Sequence, residues 1–261
     1  MLLDINAYIG HWPYKRLRYN TCASLLERMN QFGVDVSVIS SLNGIFYKNT
    51  QSSNEELHEE IGSDKRFRDR FIPFGVINPI YAGWRDDIRT CCDKMGMKGI
   101  RVHPLYHDYE VNDPSLIELV KHARDRDLVV AFSLRMVDSR QRSWMDVSKE
   151  WELKDIIPVV RAVPDAKFFI LNLANSLKLK DEDTDCLKQA NILFDTSGRE
   201  IKSLHELLDQ FGKDKFAFGT HSPILDYITG LLRIEASREN ETDFNTKELL
   251  RSGNARRMLG I

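Results

Sequence analysis

The sequence has no apolar run approaching the roughly 18 residues of a membrane-spanning helix. It has no linker rich in proline, glycine or serine and no low-complexity stretch, and no internal repeat is visible. Cysteine is scarce: Cys22, Cys91, Cys92 and Cys186 form no C-x-x-C pair. Four such residues cannot build a disulfide scaffold, so buried thiols and a reducing, cytoplasmic setting are expected. Charge of either sign is not in excess, with 37 Lys and Arg against 39 Asp and Glu and a formal net charge of −2. That balance offers nothing to drive nucleic-acid binding, and no polybasic block marks a membrane surface. The opening Met1-Leu2-Leu3-Asp4 lacks the basic and long apolar regions of a secretory leader. Neither G-x-G-x-x-G nor G-x-x-x-x-G-K-[ST] occurs, which speaks against a doubly wound nucleotide-binding sheet.

What is present is ordinary globular composition, 42% hydrophobic and 29% charged over 261 residues. The length suits one large domain, 1–261. Short apolar runs recur at Leu2–Ile5, Val34–Ser40, Phe71–Ile77, Gly99–His103, Leu128–Leu134, Lys167–Leu173, Ile192–Thr196 and Lys215–Gly219. Their length and β-branched content suit strands buried on both faces. Between and after them lie amphipathic segments of helical length at 21–32, 54–62, 83–95, 114–126, 153–162, 181–190, 200–211 and 224–238. A last helix is expected near 246–258, and Asp113-Pro114 reads as an N-cap followed by proline at the first helical position. This alternation predicts an α/β fold, a (β/α)8 TIM barrel, in which strand 8 must pair with strand 1.

Chemistry in such a barrel sits at the C-terminal ends of the strands. Those ends deliver Asn6, Tyr8, His11 and Trp12 after strand 1, Arg101, His103 and His107 after strand 4, and Ser133 and Arg135 after strand 5. Asn172 and Asn175 follow strand 6, Asp195 and Ser197 strand 7, and His221 strand 8. An inward Arg101 or Arg135 would hold an anionic group through its planar fork. Arg101 and His103 share a face by strand alternation. The bland alternatives are solvated loop histidines at His11 and His107, an inward hydrogen-bonded His103, salt-bridged arginines, and structural hydrogen bonding by Asp4, Asp195 and Ser197. The loop Met136–Trp151 carries Trp144, Met145 and Trp151 among charges. It reads either as a lid or as a contact with a second copy in a homo-oligomer.

The phrases at the strand ends resemble a known family. "LDINAYIGHWP" (Leu3–Pro13) is similar to an opening D-x-H-x-H-x-G strand, "RFIPFGVINP" (Arg70–Pro79) to a third strand, and "GMKGIRVHP" (Gly96–Pro104) to a fourth. "ILFDTSG" (Ile192–Gly198), "FAFGTHSP" (Phe216–Pro223) and "GNARRMLGI" (Gly253–Ile261) resemble its seventh strand, its G-[ST]-D-x-P at strand 8 and its closing helix. In that order they resemble the amidohydrolase-related family that includes aminocarboxymuconate-semialdehyde decarboxylase.

The resemblance implies a divalent metal held by two histidines on strand 1, one on strand 5, often one on strand 6, and an aspartate on strand 8. Here those positions read Asn6, Tyr8, Ser133, Asn172 and His221. Neutral amide and hydroxyl oxygens are poor ligands for zinc or manganese, so no metal or other cofactor is expected. The resemblance also implies lactone-hydrolysing branches of the superfamily that work without metal, so the first expectation is a metal-independent hydrolase of a small anionic lactone or ester. His221 would deprotonate water, His103 or Tyr8 would stabilise the oxyanion, and Arg101 or Arg135 would hold the substrate anion. Asn6, Ser133, Asn172, His11 and Trp12 would complete the substrate pocket. The alternatives are a small-ligand-binding barrel without catalysis, and a rearranged metal site built from His11, His103, His107 or His221.

Overall fold

The computed structural model describes residues 1–173, 179–198 and 204–261. Eight parallel strands run in the order β1-β2-β3-β4-β5-β6-β7-β8. They are β1 (Leu3–Ile9), β2 (Val36–Ser41), β3 (Phe71–Val76), β4 (Gly99–Val102), β5 (Val129–Ser133), β6 (Lys167–Leu171), β7 (Asn191–Asp195) and β8 (Phe216–Ala217). The barrel closes as expected: Ile5 N donates to Phe218 O at 2.9 Å, Tyr8 N to Ser222 O at 2.8 Å, and Ala7 bridges Ser222 in parallel. A single TIM barrel is the fold.

Among the described residues eight longer helices surround it: α1 (Cys22–Phe32), α2 (Thr50–Gly62), α3 (Trp84–Asp93), α4 (Pro114–Arg124), α5 (Leu153–Ala162), α6 (Asp181–Gln189), α7 (Leu204–Phe211) and α8 (Tyr227–Glu235). Their ends follow local chemistry. Thr21 caps α1 in a reciprocal pair with Ser24, and Gly33 ends it in the left-handed region at φ 65°. Asp113 accepts from Ser115 N at 2.7 Å, so the aspartate–proline start of α4 works as the sequence suggests. None of the described helices is long and apolar enough to cross a membrane.

Apolar side chains form three layers. The largest lies between strands and helices and contains Ile39, Ile100, Val130, Ile170, Phe194 and Phe216. A second fills the barrel with Leu3, Ile5, Val38, Phe74, Phe169 and Leu193, sealed from the N-terminal end by Ala255 and Leu259 of the last helix. A third roofs the C-terminal mouth with Trp12, Leu17, Ile45, Met136, Val137 and Ile224 above Tyr8.

Several boundaries differ from the sequence expectation, and three of them bear on the site. Strand 1 runs on to Ile9, so Asn6 and Tyr8 are strand residues rather than loop residues. Polar side chains survive there because each finds a buried partner. Strand 8 shrinks to Phe216–Ala217. The last helical region is broken by a π turn at Leu249–Gly253, whose Leu250 O takes Phe218 N at 2.8 Å. Residues 200–203 of the seventh expected helix, and Asn175, lie outside the described residues.

Candidate active site

A bulge in β1 turns the barrel core into a polar site. Asp4 pairs with Ser37 and Ala7 with Ile39, one more residue on β1 than on β2. The extra residue reverses which side chains face the axis. Leu3 and Ile5 therefore pack inside the barrel, and Asn6 and Tyr8 above them also face inward. Asp4 stabilises the bulge as an anchor, accepting from Asn6 N at 2.9 Å and from Thr220 N at 3.0 Å and Oγ1 at 2.6 Å. Burial pushes its carboxyl up to about 6, against those hydrogen bonds.

Asn6 is the hub. Its Oδ1 accepts from Arg101 Nη1 at 2.8 Å. Its Nδ2 lies 2.6 Å from Asp195 Oδ2, 3.1 Å from His221 Nδ1 and 3.2 Å from Ser197 Oγ. Asp195 also accepts from Ser197 Oγ at 2.5 Å and Asn172 N at 2.8 Å. One amide thus joins a buried cation to a buried anion. Burial raises the Asp195 carboxyl pKa, and its hydrogen bonds oppose this. The β8 backbone comes this close because Gly219 has no side chain: a Cβ there would sit 2.6 Å from Asp195 Cβ.

Arg101 is fully buried, with its guanidinium 4.1 Å from the Tyr8 ring centre and Nη2 3.3 Å from Ala7 O. Tyr8 Oη shares a hydrogen bond with Ser133 Oγ at 2.7 Å. Asn172 Nδ2 donates to Arg135 O at 2.9 Å, and its Oδ1 lies 3.4 Å from Arg135 Nε. Arg135 Nη1 is 3.6 Å from Asp138. Asn172 and His221 both adopt left-handed backbone, at φ 55° and 59°. Such strain in residues other than glycine concentrates at functional sites.

His221 stands over this network in edge contact with Tyr8, ring centres 5.3 Å apart. Its Nε2 is 2.8 Å from Met136 O. A carbonyl can only accept, so Nε2 carries the proton and Nδ1 takes the hydrogen bond from Asn6. Both ring nitrogens are spent, and burial pushes the imidazole down to about 3. His221 points inward, as expected, yet it holds no lone pair for a water.

The remaining expected residues are dispersed. His103 is buried beside His107 at a ring distance of 6.1 Å, and its Nε2 has no hydrogen-bond partner among the described residues. Burial holds it well below the usual histidine range, helped by His107, Arg101 and His221. It borders a cavity of about 10 Å³ shared with Ser133, Arg135 and Trp151, room for a single water. His107 bonds Gly44 O at 3.1 Å beneath the roof. His11 is exposed, and only its backbone N is engaged, with Asn43 Oδ1 at 2.9 Å, so it does not join the cluster. Trp12 packs edge-on against Tyr14, Phe46 and Tyr106 in the roof and lines a cavity of about 10 Å³ there with Leu17, Val137 and Ile224. The loop Met136–Trp151 is part of that roof: Met136 and Val137 lie over Tyr8, and Asp146 takes Tyr106 Oη at 3.0 Å. No residue-type signal marks Met136 O, which immobilises His221, because any residue supplies a carbonyl.

The donor set does not fit a divalent ion. Asn6 Oδ1 is taken by Arg101, the Tyr8 and Ser133 hydroxyls by each other, and both His221 nitrogens are engaged. A guanidinium already lies between Asn6 and Tyr8, the positions of the two strand-1 histidines in the family pattern. Among the described residues no group of three or more His, Cys, Asp or Glu could hold a metal.

The fold and these strand ends describe a closed parallel barrel with a polar, hydrogen-bonded mouth. The amidohydrolase family model matches residues 43–261, and the chain belongs to that family. The solved structures it resembles include 2,6-dihydroxybenzoate decarboxylase from Rhizobium, 13% identical with a TM-score of 0.76 over 99% of this chain and 98% of that one. Another is 5-carboxyvanillate decarboxylase from Sphingomonas paucimobilis, 13% identical with a TM-score of 0.73 over 100% and 99%. A third, dihydroxybenzoic acid decarboxylase from Polaromonas sp. with bound manganese and 2-nitroresorcinol, is 12% identical with a TM-score of 0.75 over 99% and 96%. At such identities the likeness establishes the fold alone. No curated protein matches this chain.

Proposed function

We propose that this chain is a metal-independent amidohydrolase-family barrel that binds a small organic anion at its C-terminal mouth. In this reading Arg101, Asn6, Asp195 and His221 are a fixed polar plug, not a reacting centre. One observation carries it: the strand-8 position where the family keeps a carboxylate holds a neutral imidazole with both nitrogens bonded inside the protein. A base must have a lone pair within reach of the proton it removes, directly or through one water. Arg135, at the rim of the plug, is a buried guanidinium beside Asp138 and Asn172 that also borders the mouth, where an anion from outside would meet it.

A second reading keeps hydrolysis of a small anionic lactone or ester. It is favoured by the convergence of Tyr8, Ser133, Arg101 and His221 on one cluster. It requires the imidazole to release Met136 O or Asn6 and take a water, with Tyr8 or His103 donating to the oxyanion.

The two readings divide on one preparation. After dialysis, elemental analysis is expected to find zinc and manganese well below one per chain. Activated lactones and carboxylate-bearing aryl esters are expected to show no hydrolysis above water, while organic anions raise the melting temperature. Turnover abolished by His221→Asn would establish the hydrolase instead. Stoichiometric metal at these side chains would overturn metal independence.

A further inference from the structure

Polar side chains under the roof loop converge on the cavity of about 10 Å³ at His103. Three residues of its wall carry an atom with no hydrogen-bond partner among the described residues: Nε2 of His103, Oδ2 of Asp146 and Nε1 of Trp151. These residues are only 3%, 8% and 7% exposed, so bulk solvent does not serve those atoms. The barrel brings them together. Val102 of β4 pairs with Phe132 of β5, so His103 and Ser133 lie at adjoining strand ends. Leu134 O accepts from Trp151 N at 2.8 Å, which returns the end of the loop to the same place. Tyr106 holds Asp146 there: its Oη donates to Asp146 Oδ1 at 3.0 Å, and its backbone N donates to His103 O at 3.0 Å. Val147 N also donates to Oδ1, at 2.8 Å, so Oδ2 is the oxygen of Asp146 left to the cavity.

A buried polar atom without a partner is costly, so three around one cavity require an occupant. The wall selects its chemistry. An indole N–H only donates and a carboxylate only accepts. A cation would suit Asp146 but oppose the Trp151 N–H, and Arg135, Arg142 and Lys149 also border the cavity. An anion would suit Trp151 but oppose Asp146 and Glu150. Water accepts and donates at once, and the volume is that of one water. The His103 imidazole completes the set in either tautomer, giving three partners of the roughly 2–4 that a buried water makes. Burial holds His103 neutral, so it does not close on Asp146 as an ion pair.

We propose that this cavity is a site for one water, which accepts from Trp151 Nε1, donates to Asp146 Oδ2 and bonds His103 Nε2, and which thereby fastens the loop Met136–Trp151 to the end of β4. This goes beyond the anion-binding reading and stands without it. His221 spends both ring nitrogens inside the protein, whereas His103 keeps one for a water. The roof is then latched to the barrel through a replaceable molecule, and loss of that water frees the Asp146–Trp151 end of the loop.

The test of the site is nuclear magnetic resonance of the full chain. Trp151→Phe identifies the Trp151 indole proton among those of the four tryptophans. In the wild type that proton is expected to cross-relax with a long-lived water, and a crystal structure is expected to place a water oxygen roughly 2.7–3.2 Å from all three atoms. An indole proton without a water signal, a direct bond between His103 and Asp146, or an ion in the cavity would overturn the site. Hydrogen exchange tests the latch. His103→Leu is expected to speed exchange of the Val147 and Trp151 amides at least tenfold while the β5 amides keep their wild-type rates. His103→Gln keeps a donor and an acceptor and is expected to stay nearer to wild type than to His103→Leu. A smaller acceleration in His103→Leu, or equal acceleration in both variants, would show that packing holds the loop and would overturn the latch. If His103→Leu also loses protection in β5 it has unfolded globally, and the wild-type water measurement decides alone. Neither measurement involves an organic anion, so failure here leaves the anion-binding reading standing.

Discussion

Arg101 and Arg18 carry the same guanidinium under opposite physics. Arg101 is fully buried, bonded to Asn6 and Ala7, and linked through one amide to Asp195. Arg18 stands exposed in the loop after β1. A buried charge survives only if its partners repay desolvation, so the axis is built around Arg101. An exposed charge in high dielectric adds little stability. In one barrel, the first arrangement makes structure and the second leaves a charge in solvent.

Removing the axial cation should break that contrast most strongly. Arg101→Met would leave Asn6 Oδ1 and the buried Asp195 without their counterpart and should cost about 3–5 kcal/mol. Urea unfolding measures this, and a loss below about 1 kcal/mol would show that the plug does not depend on its cation.

Acidity probes the same region more gently. His221 is neutral in the fold, with its pKa at about 3, whereas an unfolded histidine titrates near 6.5. Its contribution to stability is therefore present above about 6.5 and is lost as the pH falls toward 3, at about 1.4 kcal/mol per pH unit. Asp4, raised to about 6, runs the other way: its contribution is present below 3.8 and is lost as the pH rises through about 6. The wild-type curve holds both, and His103 adds in the direction of His221. His221→Gln isolates one group, and its stability between pH 6 and 4 should fall less steeply than wild type by about 1.4 kcal/mol per unit. Equal slopes in urea titrations across that range would mean that His221 is protonated in the fold.

The smallest effect belongs to the exposed guanidinium. Arg18→Glu should change unfolding free energy by no more than about 0.5 kcal/mol. A larger loss would place Arg18 in the structural network and erase the distinction drawn here.

Much of this was written in the sequence. Eight apolar runs separated by helical segments pointed to a parallel sheet covered by helices, and their number, with no glycine-rich phosphate turn, favoured a barrel over a doubly wound sheet. The turn chemistry at Asp113-Pro114 and the shared face of Arg101 and His103, both buried, are local rules, and local rules survive folding. The loss of the family's metal-binding side chains was equally legible, since Asn6, Tyr8, Ser133, Asn172 and His221 stand at those positions. Tertiary structure alone decided what those residues do. The extra residue in β1 that aims Asn6 inward depends on pairing with β2, contacts that no local pattern encodes. The engagement of His221 depends on a carbonyl 85 residues away, and the cavity at His103 is closed by Asp146 and Trp151 from the loop after the next strand. Sequence fixes which groups exist and which face of an element they share. Whether an imidazole is a base or a strut depends on what the closed barrel brings to its second nitrogen.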